Sequence, residues 1–251
     1  MILQKSVIEE ILWRAAEEYS LEQNLKTGFR KPIAGFATAE PQPYLPLRQA
    51  GMPEHFLPRD MMKECKTVIA VFYPYDKETV LSNRGGESAS QRWADAYEEM
   101  GKRVAAANRA LLSWMEANQI PAMLPTPAAS QFDAQQLVGK WSHRHIARIA
   151  GLGSFGKNNM LITQQGCCGC FTSLLAGAEA ESIPPQTEEF CLYYRDGSCK
   201  ACLAACPKKA LGENSFDRAA CYEECLQNLK LTGSDVCGKC LAGMPCSIHK
   251  P

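Results

Sequence analysis

The sequence predicts an α+β protein with a larger N-terminal domain, residues 1–181, and a small cysteine-rich domain, residues 182–251. In the first part, short apolar runs typical of buried strands occur among helical patterns, which favours a mixed fold. Near Ser182 the composition changes to Pro, Glu and Gln and then to Cys. Of the 13 cysteines, 9 lie between Cys191 and Cys246, so we expect the second domain to depend on bound metal for its folding.

The periodicity of apolar residues predicts the individual elements. Helical spacing predicts helices over residues 3–19, over 89–118 with one break, and from about 135 to 150, where Gly151 supplies a stop. Short apolar segments predict strands at 33–37, 67–73, 121–124 and 160–163.

The composition is that of an ordinary globular protein, with 46% apolar and 22% charged residues. Lys plus Arg and Asp plus Glu each number 27, so no basic excess indicates nucleic-acid binding. Acidic residues interrupt the apolar N-terminus, and no stretch approaches the ~20 apolar residues of a membrane span. We therefore expect neither an export signal nor a membrane anchor, and a cytoplasmic location.

The clustered cysteines are expected to hold metal, because a reducing compartment disfavours disulfides. Cys199, Cys202 and Cys206 form the pattern C-x2-C-x3-C-P, which is the latter part of the bacterial ferredoxin run. The position three before Cys199 is Asp196, so the first ligand is displaced upstream to Cys191. This pattern indicates [4Fe–4S] clusters, and in it the Cys before Pro ligates the opposite cluster from its neighbours.

Eight thiolates are needed for two clusters, and the region offers nine. We assign one cluster to Cys191, Cys199, Cys202 and Cys246, and the other to Cys206, Cys221, Cys237 and Cys240. Cys225 is left over and is an alternative to Cys191 or Cys221. A four-cysteine zinc site is the rival interpretation; the C-P tail and the surplus of thiols favour iron–sulfur.

Four cysteines lie outside this region. Cys65 is expected to be a small buried apolar residue. Cys167, Cys168 and Cys170, in the segment CCGC, are compatible with metal ligation, with a redox disulfide or with a tight turn of small residues.

A glycine-rich segment precedes the cysteine region. Gly151, Gly153 and Gly156 match G-x-G-x-x-G, but a helical pattern precedes them and a strand follows, the reverse of a dinucleotide-binding motif. The glycines would let a large ligand approach the backbone, and Lys157 and Asn158 offer hydrogen-bond donors.

The segment from Ser142 to Asn158 (SHRHIARIAGLGSFGKN), followed by MLIT at 160–163 and the cysteine region, resembles the epoxyqueuosine reductases, which are related to the reductive dehalogenases. The resemblance implies a nitroreductase-like α/β domain that binds cobalamin and a ferredoxin-like domain with two [4Fe–4S] clusters. It also implies a set of cofactor-binding residues: Ser142, Arg144, Gly151, Gly153, Gly156, Lys157, Asn158 and Met160. The same fold can hold FMN, so flavin is an alternative occupant.

The sequence departs from that family near its catalytic acid. The family's D-[ST]-A-P-like segment has no close match, and Asp133 is the nearest candidate, with a longer spacing to the glycine loop. His143 and His145 are further candidates, because imidazole titrates near neutral pH. For each histidine, a structural hydrogen bond or a solvated helix face is the alternative role.

The resemblance predicts a cobalamin-dependent oxidoreductase that receives electrons from a donor such as ferredoxin or flavodoxin. Its substrate is a small molecule or a modified nucleoside. These 251 residues hold no counterpart of the family's C-terminal helical repeats, and the formal net charge is zero, so we expect weak tRNA binding or none. The rival function is a non-catalytic electron carrier that reduces a partner protein, for example a corrinoid protein.

Overall fold

The computed structural model describes residues 1–133, 135–184 and 186–251. Its helices are α1 (Lys5–Glu22), α2 (Leu45–Gln49), α3 (Pro58–Met61), α4 (Lys77–Ser82), α5 (Gln91–Ala117), α6 (His143–Ile149), α7 (Leu192–Asp196), α8 (Ala201–Ala205) and α9 (Arg218–Thr232). Its strands are β1 (Ile33–Thr38), β2 (Thr67–Pro74), β3 (Ala122–Met123), β4 (Phe132–Asp133), β5 (Val138–Gly139), β6 (Gly153–Phe155), β7 (Leu161–Thr163) and β8 (Gly169–Ala176). The expected α+β class is confirmed.

The main sheet is antiparallel, with the strand order β1-β2-β8-β3. Every residue of its strand β2 is buried. On one face, Ile69 and Val71 join a core with residues of α1 and α5, and on the other, Val68 and Ala70 join a core with residues of α6. A strand covered on both faces needs apolar side chains at every position, which explains the continuous run TVIAVFYP.

Helix α5 is one continuous helix of 27 residues, so the predicted break is wrong. Ser90 caps its first turn by accepting a hydrogen bond from the Trp93 backbone N–H at 3.2 Å. Gly101 lies mid-helix in open space, and its modest cost in helix propensity is offset by the buried stripe that includes Met100 and Leu111. The helix therefore reaches from the sheet to the cysteine-rich region without interruption.

The helix expected from about residue 135 is also shorter than predicted. Asp133 Oδ1 accepts hydrogen bonds from the backbone N–H groups of Gln135 at 2.8 Å and Gln136 at 2.9 Å, which builds a turn. Leu137 has a positive φ of 55°, a conformation that ends helical periodicity. Strands β4 and β5 therefore form a small hairpin, and α6 begins only at His143.

The cysteine-rich segment is tied to the rest of the chain by polar contacts. Asn83 Nδ2 donates to the Cys237 carbonyl at 2.8 Å, and Lys239 Nζ donates to the Asn83 carbonyl at 3.2 Å and to the Gly85 carbonyl at 2.6 Å. Gly238, with φ of 69°, packs so closely on Trp93 that a Cβ would lie 2.3 Å from the ring. These contacts fix the Cys237–Cys240 loop beside the start of α5.

Candidate functional site: two cavities lined by cysteines

One group of cysteines surrounds a narrow cavity, which we call the first cavity. Its thiols come from residues flanking α7, from α8 and from the C-terminal loop: Cys191, Cys199, Cys202 and Cys246. The Lys157 backbone N–H donates to Cys191 Sγ at 3.4 Å. Burial, together with the neighbouring Cys246, Cys191 and Cys199, raises the pKa of Cys202 to about 11. Four mutually close thiols form a donor set suited to an iron–sulfur cluster.

A second group of cysteines lines a cavity of about 650 Å³, which we call the second cavity: Cys206, Cys221, Cys225, Cys237 and Cys240. Burial raises the pKa of Cys240 well above its usual value, with further contributions from Cys237, Cys221 and Cys206. Burial, together with the neighbouring Cys221 and Cys237, raises the pKa of Cys225 to about 12. Cys225 therefore belongs to the second group, where Cys221 rather than Cys191 is the ligand that it would replace.

The thiols surround space in both groups. Across residues 1–133, 135–184 and 186–251, no three His, Cys, Asp or Glu side chains converge as a ligand group for a single metal ion.

Four of the eight residues expected to bind a cofactor line the second cavity, Ser142, Arg144, Asn158 and Met160, and so does the candidate acid His145. Arg144 Nη1 donates to the Asn159 carbonyl at 2.8 Å and to Met160 Sδ at 3.1 Å. Burial lowers the pKa of Arg144, and the charge of Arg218 lowers it further. Arg218 also lines the cavity, and in the described part of the chain neither arginine forms an ion pair. Two positive charges thus face this cavity.

The glycines of the loop lie elsewhere than expected. Gly151, with φ of 77°, faces Pro184 and Gln186, and a Cβ on Gly153 would lie 1.8 Å from the Ile162 carbonyl oxygen of the paired strand β7. Gly156 and Lys157 line the first cavity, and Asn158 lines both cavities. The loop therefore forms the wall between the cavities, and its glycines serve strand pairing and a turn rather than close approach to a ligand in the larger one.

The three candidate acids occupy different environments. Asp133 is exposed in the β4–β5 hairpin, and its neighbour Phe132, not Asp133, lines the second cavity. Burial lowers the pKa of His143 to about 4, and its Nδ1 is 2.9 Å from Ser173 Oγ, behind the cavity wall. His145 lines the cavity, with Nδ1 2.7 Å from Ser142 Oγ.

Sequence reasoning missed a supporting histidine, His55. Its ring is fully buried, stacks on Trp141 at 5.3 Å between ring centroids, and accepts the Ser142 backbone N–H at Nε2 over 3.2 Å. Nδ1 lies 2.8 Å from the Phe56 carbonyl, so the neutral tautomer with its proton on Nδ1 satisfies both contacts. Nothing in the irregular segment around His55 signals this role, since the partner lies 87 positions away.

The segment CCGC divides into three environments. Cys167 Sγ lies 3.9 Å from Cys246 Sγ, Cys168 Sγ donates to the Leu241 carbonyl at 3.4 Å, and Cys170 Sγ is 3.5 Å from the Tyr75 hydroxyl. Cys170 lies in strand β8, which the sequence pattern did not predict. Cys65 is buried, as expected for an apolar role, and burial raises its pKa to about 11.

The fold and these cavities define an α+β protein with two separate thiol-lined sites. No protein-family model matches the chain. A curated epoxyqueuosine reductase from Listeria monocytogenes serovar 1/2a (strain ATCC BAA-679 / EGD-e) is 26% identical over 207 residues, which cover 73% of this chain and 50% of that protein. The chain thus spans about half the length of the curated relative that it matches.

Solved structures agree on the fold. An epoxyqueuosine reductase from Streptococcus thermophilus matches with a TM-score of 0.54 at 18% identity, covering 94% of this chain and 66% of that one. The Bacillus subtilis epoxyqueuosine reductase gives 0.53 at 18% identity, with 94% and 65% covered. A third structure, an epoxyqueuosine reductase with an epoxyqueuosine-modified tRNA-Tyr stem loop, gives 0.53 at 17% identity, with 94% and 66% covered. The predicted resemblance to the epoxyqueuosine reductases is therefore confirmed, and the solved structures show that the fold is shared. None of the described helices combines the length and apolar character that a membrane crossing requires.

Proposed function

We propose that this protein is an oxidoreductase of the epoxyqueuosine reductase type, in which two [4Fe–4S] clusters deliver electrons to a corrinoid in the second cavity. The observation that carries the proposal is the partition of the cysteines. Four of the eight predicted ligands line the first cavity and four line the second, where Cys225 lies beside them. The second group shares its cavity with the predicted cofactor-binding residues.

The donor sets support clusters over zinc. The first group supplies four thiols and the second supplies five, and the spacing C-x2-C-x3-C-P sends Cys206 to the group opposite Cys199 and Cys202. The Lys157 N–H directed at Cys191 Sγ, and the cations Arg144 and Lys239 near the second group, would stabilise negatively charged thiolates.

The second cavity supports a bound cofactor by its size and lining. Its volume of about 650 Å³ lies within the ~300–1,000 Å³ typical of small-molecule sites. When bound, a corrinoid supplies a metal centre that is reduced one electron at a time. Arg144 and Arg218 would hold an anionic group of the cofactor or substrate, and aromatic side chains such as Phe155 and Trp141 would exclude water.

His145 is the residue best placed to donate a proton in this cavity. Burial, and then the charge of Arg144, lower the pKa of His145 to about 4, so the ring is neutral at pH 7 and one nitrogen bears a proton. Ser142 Oγ, 2.7 Å from Nδ1, fixes the ring's orientation. We propose that the neutral imidazole donates a hydrogen bond to the substrate.

The substrate class is open between a small molecule and a modified nucleoside. The relative solved with a modified tRNA stem loop supports the nucleoside. The zero net charge of this chain argues against extensive phosphate contacts. A gel-shift titration with a tRNA stem loop at several salt concentrations separates the two: tight, salt-sensitive binding supports the nucleoside, and no binding at physiological salt supports the small molecule.

An electron-carrier function remains the second candidate, and the placement of the acids favours it. Asp133 lies on an exposed hairpin, and burial lowers the pKa values of His143 and His145 to about 4, so none of the three predicted positions offers a strong proton donor to the second cavity. In that case the clusters would serve a partner protein, and no substrate would be turned over here.

Anaerobic titration with cobalamin tests the proposal. Wild-type protein should change the corrinoid absorption spectrum, and Gly139→Trp, which places a large ring at the wall of the second cavity, should weaken that response at least tenfold. Gly101→Trp, at an open surface position of α5, is the matched control. An unchanged spectrum with intact clusters favours the carrier, and FMN binding in its place would assign the cavity to flavin.

A further inference from the structure

Cys167 is held against a predicted cluster ligand by the backbone as well as by the side chains. Its backbone N–H donates to the Cys246 carbonyl at 2.9 Å and lies 3.2 Å from the Ser247 carbonyl. The two sulfur atoms are 3.9 Å apart, close to van der Waals contact. Because the two chain segments are fixed to one another, the sulfur contact does not depend on a chance side-chain rotation.

The surroundings of Cys167 distinguish it from the other two cysteines of CCGC. The Cys168 thiol donates a hydrogen bond to the Leu241 carbonyl, and the Cys170 thiol forms a hydrogen bond with the Tyr75 hydroxyl. Cys167 is fully buried, and besides Cys246 its sulfur has the Asn158 amide nitrogen at 3.9 Å as a polar neighbour. Of the three thiols, Cys167 is the one directed at a member of the first group.

The partner, Cys246, is itself the least regular of the assigned ligands. Five residues separate it from Cys240, and proline precedes it rather than following it. Its place at the edge of the first cavity is set by a loop in which Ser247 Oγ accepts a hydrogen bond from the Met244 backbone N–H at 2.6 Å. Cys246 comes from a loop of its own and has the Cys167 thiol beside it. Two sulfur atoms are therefore available for one ligand position of the first cluster.

We propose that Cys167 is a reserve ligand of the first cluster, able to take the iron position of Cys246 when that sulfur is lost. This inference depends on the cluster proposed above. In the exchange, the Cys246 sulfur leaves one iron and accepts the proton released by the Cys167 thiol, and the Cys167 thiolate binds that iron. One iron–sulfur bond breaks and one forms, so no oxidant or reductant is consumed.

The test compares cysteine variants by iron content and by the electron paramagnetic resonance (EPR) signals of the dithionite-reduced protein, after anaerobic purification. Wild type should hold about eight iron atoms per chain. Cys246→Ala should also hold about eight, because Cys167 completes the cluster, whereas Cys202→Ala, which has no such neighbour in its cavity, should lose about four. The double variant Cys167→Ser/Cys246→Ala should lose the first cluster, and Cys168→Ala/Cys246→Ala should keep it.

Two outcomes overturn the inference without touching the proposed clusters. One is an eight-iron wild type whose Cys246→Ala variant falls to four, as Cys202→Ala does. The other is a Cys167→Ser/Cys246→Ala variant that keeps all eight. A wild type with no iron would instead remove the proposed function, and the reserve ligand with it. Cys167→Ser is nearly isosteric, so a folding defect is minimised, and circular dichroism of each variant checks it.

Discussion

The two cavities carry the same kind of thiol group but differ in everything around it. The first is narrow, and its remaining lining comes largely from the glycine loop and the C-terminal residues. The second extends over about 650 Å³ and adds Arg144, Arg218, His145 and several aromatic side chains. Under the proposed function, this difference would give the two clusters separate tasks: the first would pass electrons onward, and the second would lie where a large ligand reacts.

The wall between the cavities explains how they would communicate. Asn158 lines both, and its Nδ2 donates to the Cys240 carbonyl at 3.2 Å and lies 3.9 Å from Cys167 Sγ. Its Oδ1 accepts the Met160 backbone N–H at 3.1 Å. One buried amide thus contacts both cysteine regions and the residues of the larger cavity, which makes the GKN segment a structural link rather than a ligand contact alone.

The largest expected effect comes from removing one cysteine from each group. Cys199→Ala should abolish the first cluster and Cys206→Ala the second, because the Cys before Pro serves the opposite group. Each variant should retain about four of about eight iron atoms. EPR spectra of the reduced variants should show two different surviving clusters, and the same survivor in both would contradict the partition.

A smaller effect is expected from Lys239, which lies between Cys237 and Cys240 and is 5% exposed. Its ammonium group donates hydrogen bonds to two carbonyl oxygens, which hold the positive charge in place. Under the proposed function, that charge would stabilise the added electron on the second cluster. Lys239→Met should lower the reduction potential of the second cluster and leave that of the first unchanged, in a redox titration followed by EPR.

Lys208→Met provides the control, because Lys208 lines the same cavity but lies 3.9 Å from both Glu223 and Glu224. Its variant should shift the potential less. If Lys239→Met keeps both clusters and both potentials, the charge of Lys239 does not act on the cluster and its role is only to anchor the loop.

The smallest effect concerns pH. Burial lowers the pKa values of His143 and His145 to about 4 in the folded protein, below the unfolded value of about 6.5. The unfolded chain therefore binds more protons between these values, so the free energy of unfolding should decrease as pH falls from about 6.5 to about 4.

Urea unfolding at pH 7 and pH 5 measures this dependence. The double variant His143→Gln/His145→Gln should lose part of the decrease, while His249→Gln, at an exposed position, should behave as wild type. An equal loss of stability at pH 5 in all three proteins would place the acid sensitivity elsewhere.

The strands and the cysteine motif could be predicted from the sequence because each depends on residues that lie close together along the chain. The strands at 33–38 and 67–74 were predicted within one residue, because their apolar runs are buried on the sheet. The ferredoxin spacing indicated Cys199, Cys202 and Cys206, while Cys191, Cys221 and Cys246 were assigned from outside that run with Cys225 as an alternative. The assigned cysteines line two separate cavities. The strands and the C-x2-C-x3-C-P run are the features that neighbouring residues in the sequence predict.

The features that sequence missed depend on distant contacts. Strand β8 pairs with β2 and β3 from a segment that begins with Gly and Cys, so its tertiary partners outweigh weak local propensity. Gly153 matches a ligand-binding motif but is required by the close approach of Ile162. His55 acquires its role through Ser142 and Trp141, and no spacing rule connects those positions.

Iron and acid-labile sulfide analysis of anaerobically purified protein tests the central claim most directly. Two thiol groups that each hold a [4Fe–4S] cluster should give about eight iron and about eight sulfide per chain, with no stoichiometric zinc. One or two zinc ions per chain without sulfide, in protein that was never exposed to air, would contradict the two-cluster account and make both cavities structural zinc sites.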